Sequence, residues 1–433
     1  MVILMYRVSV LTLSLIALAT SAALNSAASA QGPRDKWETP PGWTETRGGA
    51  GGRVIRVTSL EKTGPGTLAE ALMSEGPRVI EFSVSGTIDL QGKGLKIDHP
   101  YLTLAGETAP SPGITLVHGG IQVLTHDVIV RHLRVRTSDG PRAKSAEPSM
   151  DGLGTGGGAH DVIVDHCSFA WGTDENISAS GPRFNGATPD EWRKNTSHRV
   201  TISHCIIGEG LHAHSNPKGT LIHDNTREIA LIGNFYISQN DRMPLFKGGV
   251  SAAAVNNFIY NPGRRVMQFA QVPSQWAGHS PQRALLTMTG NVARKGPSSA
   301  AEMAFFEIWP AYGSCDFYLH DNLFLAADGR PLSVGAAFRD KARPIDHPDQ
   351  SLPDSSGFQF HLAPYESHPE MRQVDQPPIW PPRLKARTAA ETADWVLANA
   401  GARPWERDAV DRRFIEEAKS GGGMILRLGK PPG

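Results

Sequence analysis

Three acidic side chains lie in two short segments whose residue types could do chemistry. Asp151 lies in Met150-Asp151-Gly152, and Asp174 is followed directly by Glu175. Converging carboxylates repel one another unless a cation lies between them, and hard oxygen ligands of this kind suit calcium. Isolated acids more often cap turns and bond local amides, so a turn-capping role for Asp174 and Glu175 is an equal alternative.

Three basic side chains lie in two further segments. Lys218 follows a His-Ala-His-Ser-Asn-Pro run that begins at His212, while Arg242 and Lys247 bound the stretch Arg-Met-Pro-Leu-Phe-Lys. We expect Arg242 and Lys247 to form a cationic pair one or two coils from the carboxylates. His212 and His214 resemble a metal pair, but zinc needs a third protein ligand and none is evident.

A repeat in the sequence could bring these groups together. The phrase His-Asp-Val-Ile-Val occurs at 126–130 and again at 160–164, and similar apolar strands return along the chain. Their alignment predicts stacked coils about 4.8 Å apart, in which residues one coil apart lie close in space. One column of this alignment, with members roughly 23 to 38 residues apart, contains Leu133, Cys167, Cys205, Asn234, Asn257, Asn291 and Asn322.

The column of asparagines has a structural explanation. An inward asparagine at a turn can bond the backbone of its own coil and the amide of its neighbour, which satisfies polar groups that water cannot reach. We therefore interpret these residues as a structural ladder. Cys167 and Cys205 share the column, and we expect buried free thiols there rather than a disulfide between them. Cys315 has no evident partner.

The strand rhythm also indicates where the solenoid begins and ends. Residues 53–57 alternate like a strand, and residues 67–72 read as a short helix that caps the coils. After Leu325 the rhythm is lost. We expect the β-helix domain to span 31–325, and 326–433 to form an irregular arm and C-terminal helices packed on it, with helical spacing at 389–400 and 407–418.

Composition and the first thirty residues limit the class of protein. The 45 Gly and 32 Pro suit an all-β chain with many turns, and the 43 basic and 43 acidic residues balance, so no global field attracts nucleic acid or an anionic membrane. Residues 1–30 read as a cleaved signal peptide that ends in Ala-Ser-Ala, with an uncleaved anchor as the alternative. The mature chain would start at Gln31 as a secreted or periplasmic protein.

The chain resembles the pectate lyase superfamily, polysaccharide lyase family 1, and in particular its secreted bacterial members. The resemblance runs from about Gly52 to Leu325 and implies a right-handed parallel β-helix. Its phrases, whose order and spacing are more specific than any one of them, are Gly-Pro-Gly-Thr-Leu at 64–68, Leu-Thr-Leu-Ala-Gly-Glu-Thr-Ala-Pro at 102–110, Val-Ile-Val-Asp-His at 162–166, Arg-Met-Pro at 242–244 and Arg-Asp-Ala-Val-Asp-Arg-Arg at 407–413.

The resemblance also implies roles for individual residues. It makes Asp151 and Asp174 calcium ligands, Lys218 a substrate-binding lysine, Arg242 the catalytic base and Lys247 the replacement for a second arginine. Many relatives carry further acids where this chain has two serines. These serines are Ser149 and Ser178, and Glu175 replaces one of the two missing acids. We expect the protein alone to hold Ca²⁺ weakly and the substrate carboxylate to complete the site.

The implied reaction is β-elimination in polygalacturonate or a related uronate polymer. A cation must neutralise the uronate carboxylate so that the weakly acidic C5 proton can leave, and Lys218 and Lys247 would assist. Arg242 would take the proton. A guanidinium is an improbable base at neutral pH, but neighbouring positive charges disfavour its protonated form, so we expect an alkaline optimum.

Further basic residues could contact an anionic chain from loops beside the cleft, or could be ordinary solvated charges. We expect the acidic polysaccharide to be the partner of the mature chain, which would act as a monomer without nucleic acid or membrane. The loop residues are Arg183, Arg193, Lys194, Arg264 and Arg265, of which the last two are our candidates for substrate binding.

Two other functions compete with the lyase. A glycoside hydrolase of the polygalacturonase type would need a paired acid and carboxylate. Asp174 and Glu175 look like such a pair, but adjacent residues of an extended strand point to opposite faces. A non-catalytic β-helix that binds acidic glycan is the second, because a fold alone implies no activity.

Overall fold

The computed structural model describes most of the chain. The chain divides into two compact units, residues 1–38 and 39–433, and only Trp37 and Glu38 of the first are described, so the fold below is that of the second. The predicted signal peptide and the pair His212 and His214 lie outside the described residues. Those residues are 37–140, 149–211, 218–309, 312–344, 358–364 and 368–426.

Parallel strands stacked in three sheets form a β-helix, as predicted. The first sheet contains, in spatial order, β1 (Arg53–Val57), β2 (Arg78–Phe82), β5 (Leu102–Ala105), β8 (His126–Arg131), β11 (His160–Asp165), β14 (His198–Ser203), β17 (Arg227–Ile232), β20 (Ser251–Val255), β23 (Ala284–Thr289), β26 (Cys315–His320) and β31 (Met371–Gln373).

The second sheet carries the candidate active site described below. Its strands are β4 (Leu95–Ile97), β7 (Ile121–Val123), β10 (Leu153–Thr155), β13 (Glu175–Ala179), β16 (Lys218–Ile222), β19 (Leu245–Lys247), β22 (Met267–Ala270), β25 (Phe306–Ile308), β29 (Ala336–Pro344) and β30 (Phe358–Pro364).

The third sheet completes each coil. Its strands are β3 (Gly86–Asp89), β6 (Ile114–Val117), β9 (Arg134–Arg136), β12 (Ser168–Ala170), β15 (Ile206–Gly208), β18 (Phe235–Ile237), β21 (Phe258–Tyr260), β24 (Val292–Arg294), β27 (Leu323–Leu325) and β28 (Pro331–Leu332).

The repeated phrase lies in register, as its spacing predicts. Val162 pairs with Val128 in the parallel ladder of β8 and β11, and both are fully buried. The histidines that open the phrase stack on each other, with the ring centroids of His126 and His160 4.9 Å apart at 17°. Asp161 adopts a positive φ of 53°, which interrupts the ladder at that point and sets its carboxylate outside the sheet.

The asparagine ladder is confirmed by its hydrogen bonds. Asn257 Oδ1 accepts from the backbone N of Asn234 at 2.9 Å and from its Nδ2 at 3.0 Å, and Asn257 Nδ2 donates to the carbonyl of Leu231 at 2.9 Å. The same pattern continues to Asn291 and Asn322. Cys167 and Cys205 are buried free thiols, as expected.

Four α-helices lie outside the coils in the described part of the chain. The predicted cap is α1 (Leu68–Leu72), which begins at an N-cap where Thr67 accepts from the backbone of Glu70. The short helix α2 (Pro189–Lys194), in the loop after β13, was not predicted. The two C-terminal helices, α3 (Ala389–Asn399) and α4 (Ala409–Ser420), confirm the helical spacing.

The segment after Leu325 is more regular than the lost rhythm indicates. β29 pairs in parallel with β25, β30 returns antiparallel to it, and β31 adds to the first sheet beside β26. Residues 345–357, between β29 and β30 in the sequence, are rich in Pro, Asp and Ser and obscure the strand pattern, although residues 358–362 do alternate. None of the helices in the described ranges is both long and apolar enough to cross a bilayer.

The chain ends cover two of the three sheets. Val396, Phe414 and Ile415 of the C-terminal helices pack with Phe235 and Phe258 on the outside of the third sheet. A smaller apolar cluster lies outside the first sheet, where Trp43, Trp380 and Leu384 pack against β17 and β20. The candidate site therefore lies on the second sheet, away from both covers.

Candidate active site

The ladder of the second sheet brings residues from four coils into one row. The backbone of Gly152 bonds the carbonyl of Glu175 at 3.1 Å, which places the preceding Asp151 beside Glu175. Glu175 is the register partner of Lys218, and Lys218 forms a parallel bridge with Asp241. Residues separated by 24, 43 and 23 positions in the sequence are thus neighbours. The interval of 43 is longer than the repeat predicts, and its coil carries the additional helix α2.

The three predicted metal ligands form one cluster. The carboxylates of Asp151, Asp174 and Glu175 offer oxygen atoms that all lie within 4.8 Å of one another. Asp174 lies in the turn ahead of β13, so the alternation of faces along a strand does not apply to it. The expectation that Asp174 and Glu175 point to opposite faces is therefore wrong.

Two cations lie against this cluster. Lys218 Nζ donates to Asp174 at 3.0 Å and lies 3.8 Å from Glu175, while Arg242 forms a short contact with the same Glu175 carboxylate. Arg242 reaches back across one coil from a turn in which it adopts a positive φ of 67°. The predicted convergence of Arg242 and Lys218 with the acids is present in the structure.

Burial perturbs the site's protonation equilibria. Burial raises the pKa of Asp151 to about 7, and the nearby charge of Asp174 adds to this, although Ser178 donates a short hydrogen bond to the Asp151 carboxylate. Burial also lowers the pKa of Arg242 to about 10, which outweighs the opposing effect of the Asp174 and Asp151 charges.

Lys247 ends β19, five positions after Arg242, and bonds a group outside the carboxylate cluster. It is 6% exposed, and its Nζ donates to Gln275 Oε1 at 2.7 Å. Burial lowers the pKa of Lys247 to about 8, and the charges of Arg183 and Arg242 act in the same direction against that of Asp224.

Arg264 and Arg265 both bond Asp241, which is the neighbour of Lys218 in the row. Arg265 Nη1 donates to Asp241 at 2.7 Å and its Nε bonds the buried Glu307, while Arg264 Nη2 donates to the other oxygen of Asp241 at 2.5 Å. Burial alone would raise the pKa of Asp241, but the two guanidinium charges lower it to about 2. Both guanidinium groups thus bond carboxylates within the protein. Substrate binding by Arg264 and Arg265 stays a prediction.

Some partners at the site were not foreseen from the sequence. The resemblance marks Ser178 as the position of a missing acid, but its hydroxyl donates a short hydrogen bond to the Asp151 carboxylate. Asp224 and Gln275 were not singled out, because an aspartate beside a histidine and a glutamine in a Pro-Ser-Gln turn give no signal of chemistry. The partners of Asp224 and Gln275 are evident only from the three-dimensional structure.

Comparison of the whole sequence with known proteins finds similar chains. No family model matches the sequence. A probable pectate lyase C of Emericella nidulans is 34% identical over 217 residues, which is 50% of this chain and 45% of the relative. A protein of the same name from Aspergillus fumigatus is 28% identical over 378 residues, covering 87% of this chain and 74% of the relative. The chain is similar to pectate lyases.

Solved structures show the same fold at low identity. A pectate lyase bound to a hexasaccharide aligns with a TM-score of 0.53 at 13% identity, over 83% of this chain and 94% of that one. A mutant of the Bacillus subtilis pectate lyase aligns with a TM-score of 0.50 at 13% identity, over 85% and 98%. These likenesses support the parallel β-helix. The curated relatives reported above are fungal, so they give no support to the expected likeness to bacterial members in particular.

Proposed function

We propose that the protein is a polysaccharide lyase that cleaves polygalacturonate or a related uronate polymer by β-elimination. The observation that carries this proposal is the convergence of Lys218 and Arg242 on the carboxylates of Asp151, Asp174 and Glu175. Similarity to pectate lyases over most of the chain supports the same substrate class. The acidic polysaccharide is the proposed partner, bound by a monomer outside the cytoplasm.

The reaction needs a base and positive charge near the uronate carboxylate. The base removes the proton on C5, the bond from C4 to the glycosidic oxygen breaks, and that oxygen takes up a proton as the unsaturated uronate leaves. Arg242 is the proposed base, and burial makes its neutral form more accessible than that of a solvated arginine. Lys218 and Lys247 would bind the substrate carboxylate and stabilise the charge that develops on it.

Calcium fits the donor set but meets competition there. Asp151, Asp174 and Glu175 are the proposed ligands, and three close carboxylates are hard donors of the type Ca²⁺ prefers. When bound, calcium would add positive charge beside the uronate carboxylate. Because Lys218 and Arg242 already neutralise part of the cluster, we propose that the protein alone holds calcium weakly. Tight calcium binding in calorimetry without oligosaccharide would contradict this.

A hydrolase is the second candidate, because the Asp174 and Glu175 carboxylates do face one cluster. A hydrolase requires one carboxyl group that keeps its proton as a general acid. The ammonium of Lys218 lies near both carboxylates and the guanidinium of Arg242 lies on Glu175, and such charges favour the ionised forms. Neither Asp174 nor Glu175 therefore suits the general-acid role. Asp151, whose pKa burial raises to about 7, could keep its proton, so the assay below decides between the two reactions.

One assay separates the candidate functions. Polygalacturonate is incubated with the wild type and with Arg242→Ala, in calcium and in chelator, and the ultraviolet absorbance of unsaturated uronate is followed beside the release of reducing ends. We expect absorbance with the wild type and a loss of roughly a thousandfold with Arg242→Ala. Arg56→Ala, an exposed arginine on β1, is the matched control and should retain full activity.

The other outcomes of that assay contradict the proposal. Reducing ends without ultraviolet absorbance would indicate hydrolysis. Uncut polymer with measurable binding would indicate a glycan-binding β-helix. Activity that survives in Arg242→Ala would remove Arg242 as the base.

A further inference from the structure

One buried carboxylate fastens three loops beside Lys247. Asp224 is fully buried and follows β16. Its Oδ2 accepts from Arg183 Nε at 2.9 Å, and its Oδ1 accepts from Gly248 N at 3.0 Å and from Trp276 Nε1 at 2.8 Å. The loops that follow β13, β19 and β22 are therefore tied to a single group.

Aromatic packing makes two of these loops one wall. Trp276 is 1% exposed and meets the ring of Phe184 edge-on at 5.2 Å. The ring of His279, from the same loop as Trp276, stacks on Phe184 with centroids 3.8 Å apart at 21°. A fully buried tryptophan with a bonded Nε1 restricts the loop around it. The residue before Trp276 therefore has a defined position.

That residue is Gln275, and its side chain bonds the ammonium of Lys247. The contact from Lys247 Nζ to Gln275 Oε1 is 2.7 Å, although Gln275 itself belongs to an exposed turn. The charged groups that act on Lys247 are Asp224, Arg183 and Arg242, of which Asp224 already bonds Arg183. A neutral amide oxygen can orient an ammonium without cancelling its charge, whereas a carboxylate in the same place would form an ion pair.

We propose that Gln275 is a positioning and specificity residue, which directs the Lys247 ammonium toward the uronate carboxylate of the substrate and leaves its charge available. This inference rests on the proposed function, and it assigns to the turn after β22 a part in the recognition of the acidic sugar. Loss of the amide would leave Lys247 unoriented. A carboxylate there would compete with the substrate.

The test adds one negative charge at two adjacent positions. Gln275→Glu places a carboxylate against Lys247, and Ser274→Glu places the same charge on the exposed neighbouring residue as the matched control. Binding is measured by calorimetry in the Arg242→Ala background, so that the polymer is not cleaved. We expect Gln275→Glu to weaken the affinity for polygalacturonate roughly tenfold and Ser274→Glu to weaken it less than about twofold. With active enzyme, KM should follow the same order.

A second readout does not depend on the substrate. Lysines labelled with ¹³C at Cε report the pKa of Lys247 by NMR, and Gln275→Glu should raise that pKa while Ser274→Glu leaves it unchanged. If the wild type neither cuts nor binds any polyuronate, the proposed function fails and the proposed role of Gln275 in recognition falls with it, while the NMR titration still tests the contact. Equal weakening by both glutamates, or an unchanged Lys247 pKa in Gln275→Glu, would overturn the proposal.

Discussion

Acidic side chains of the same type behave differently in this site because their neighbours differ. Asp151 is held by Ser178 and by the backbone of Glu175, and burial raises its pKa to about 7. Asp241 is the more deeply buried of the two, but the charges of Arg264 and Arg265 lower its pKa to about 2. The charge of each carboxylate is therefore set by the partner within hydrogen-bond distance.

The rate of cleavage should depend on pH through Arg242. Its pKa is lowered to about 10, and only the neutral form accepts a proton, so its active fraction rises about tenfold per unit of pH below that value. We expect kcat to rise from pH 7 to pH 10, measured from initial ultraviolet rates at saturating substrate. KM should rise above about pH 8, where Lys247 loses its proton. A flat kcat profile would exclude Arg242 as the base.

Ser178→Asp should convert the carboxylate cluster into a stronger cation site. The added acid would lie against Asp151, where the serine now donates a hydrogen bond, and the extra repulsion would be relieved by a bound cation. We expect calorimetry without substrate to show calcium affinity increased by about tenfold or more. The control is Ser180→Asp, two positions along the chain, which should change it little.

The elements of the β-helix depend on alternation and on the ladder at the turns. Val162 and its partners point inward along the first sheet, while the asparagines close the turn between the first and third sheets with bonds to the next coil. The apolar alternation gives the sheets their core, and the ladder satisfies the polar backbone that the turn would otherwise bury unpaired. Both features repeat, so both are legible in the sequence.

Asn257→Ala should destabilise the coil stack strongly. It leaves the backbone N of Asn234 and the carbonyl of Leu231 without their partner inside the protein. We expect a loss of about 3 kcal/mol in the free energy of unfolding, measured by denaturant titration. Cys205→Ala in the same column removes only weak sulfur contacts and should cost clearly less. Equal losses would show that the hydrogen bonds of the ladder contribute nothing to stability beyond the packing of the side chains.

At the scale of the whole molecule, the two C-terminal helices cover one face of the β-helix. The C-terminal helices cover the third sheet, and buried charges attach them, since Arg136 Nη2 donates to Asp411 at 2.7 Å. Asp411 also accepts from Ser168 at 2.6 Å. Among the described residues, the second sheet carries the charged row for which we propose polymer binding, and the C-terminal helices pack on a different sheet.

Asp411→Ala should loosen this cover. It leaves Arg136, whose side chain is 4% exposed, with only part of its buried partner charge. We expect a loss of about 3 kcal/mol in the free energy of unfolding. Asp394→Ala, an exposed acid on α3, is the control and should cost less than about 0.5 kcal/mol. A similar cost for both variants would show that the ion pair does not hold the helices.

The sequence by itself determined the repeat, and with it the fold class and the alignment of the charged residues. The pairing of Lys218 with Glu175 is given by the structure, since the sequence marks Lys218 only through the resemblance. Strand alternation and the asparagine column are local patterns that recur in each coil, so they predict which coils are neighbours. The same reasoning identified Asp151, Asp174 and Arg242 as neighbours.

Only the tertiary structure decided which groups bond to one another within that row. The turn before β13 brings Asp174 and Glu175 to one cluster, Asp241 occupies Arg264 and Arg265, and Gln275 reaches Lys247 from another coil. Side-chain partners depend on turn conformation and on loops of unequal length, which have no period. A repeat predicts the positions of backbone strands, whereas the chemistry depends on the positions of the functional groups of the side chains.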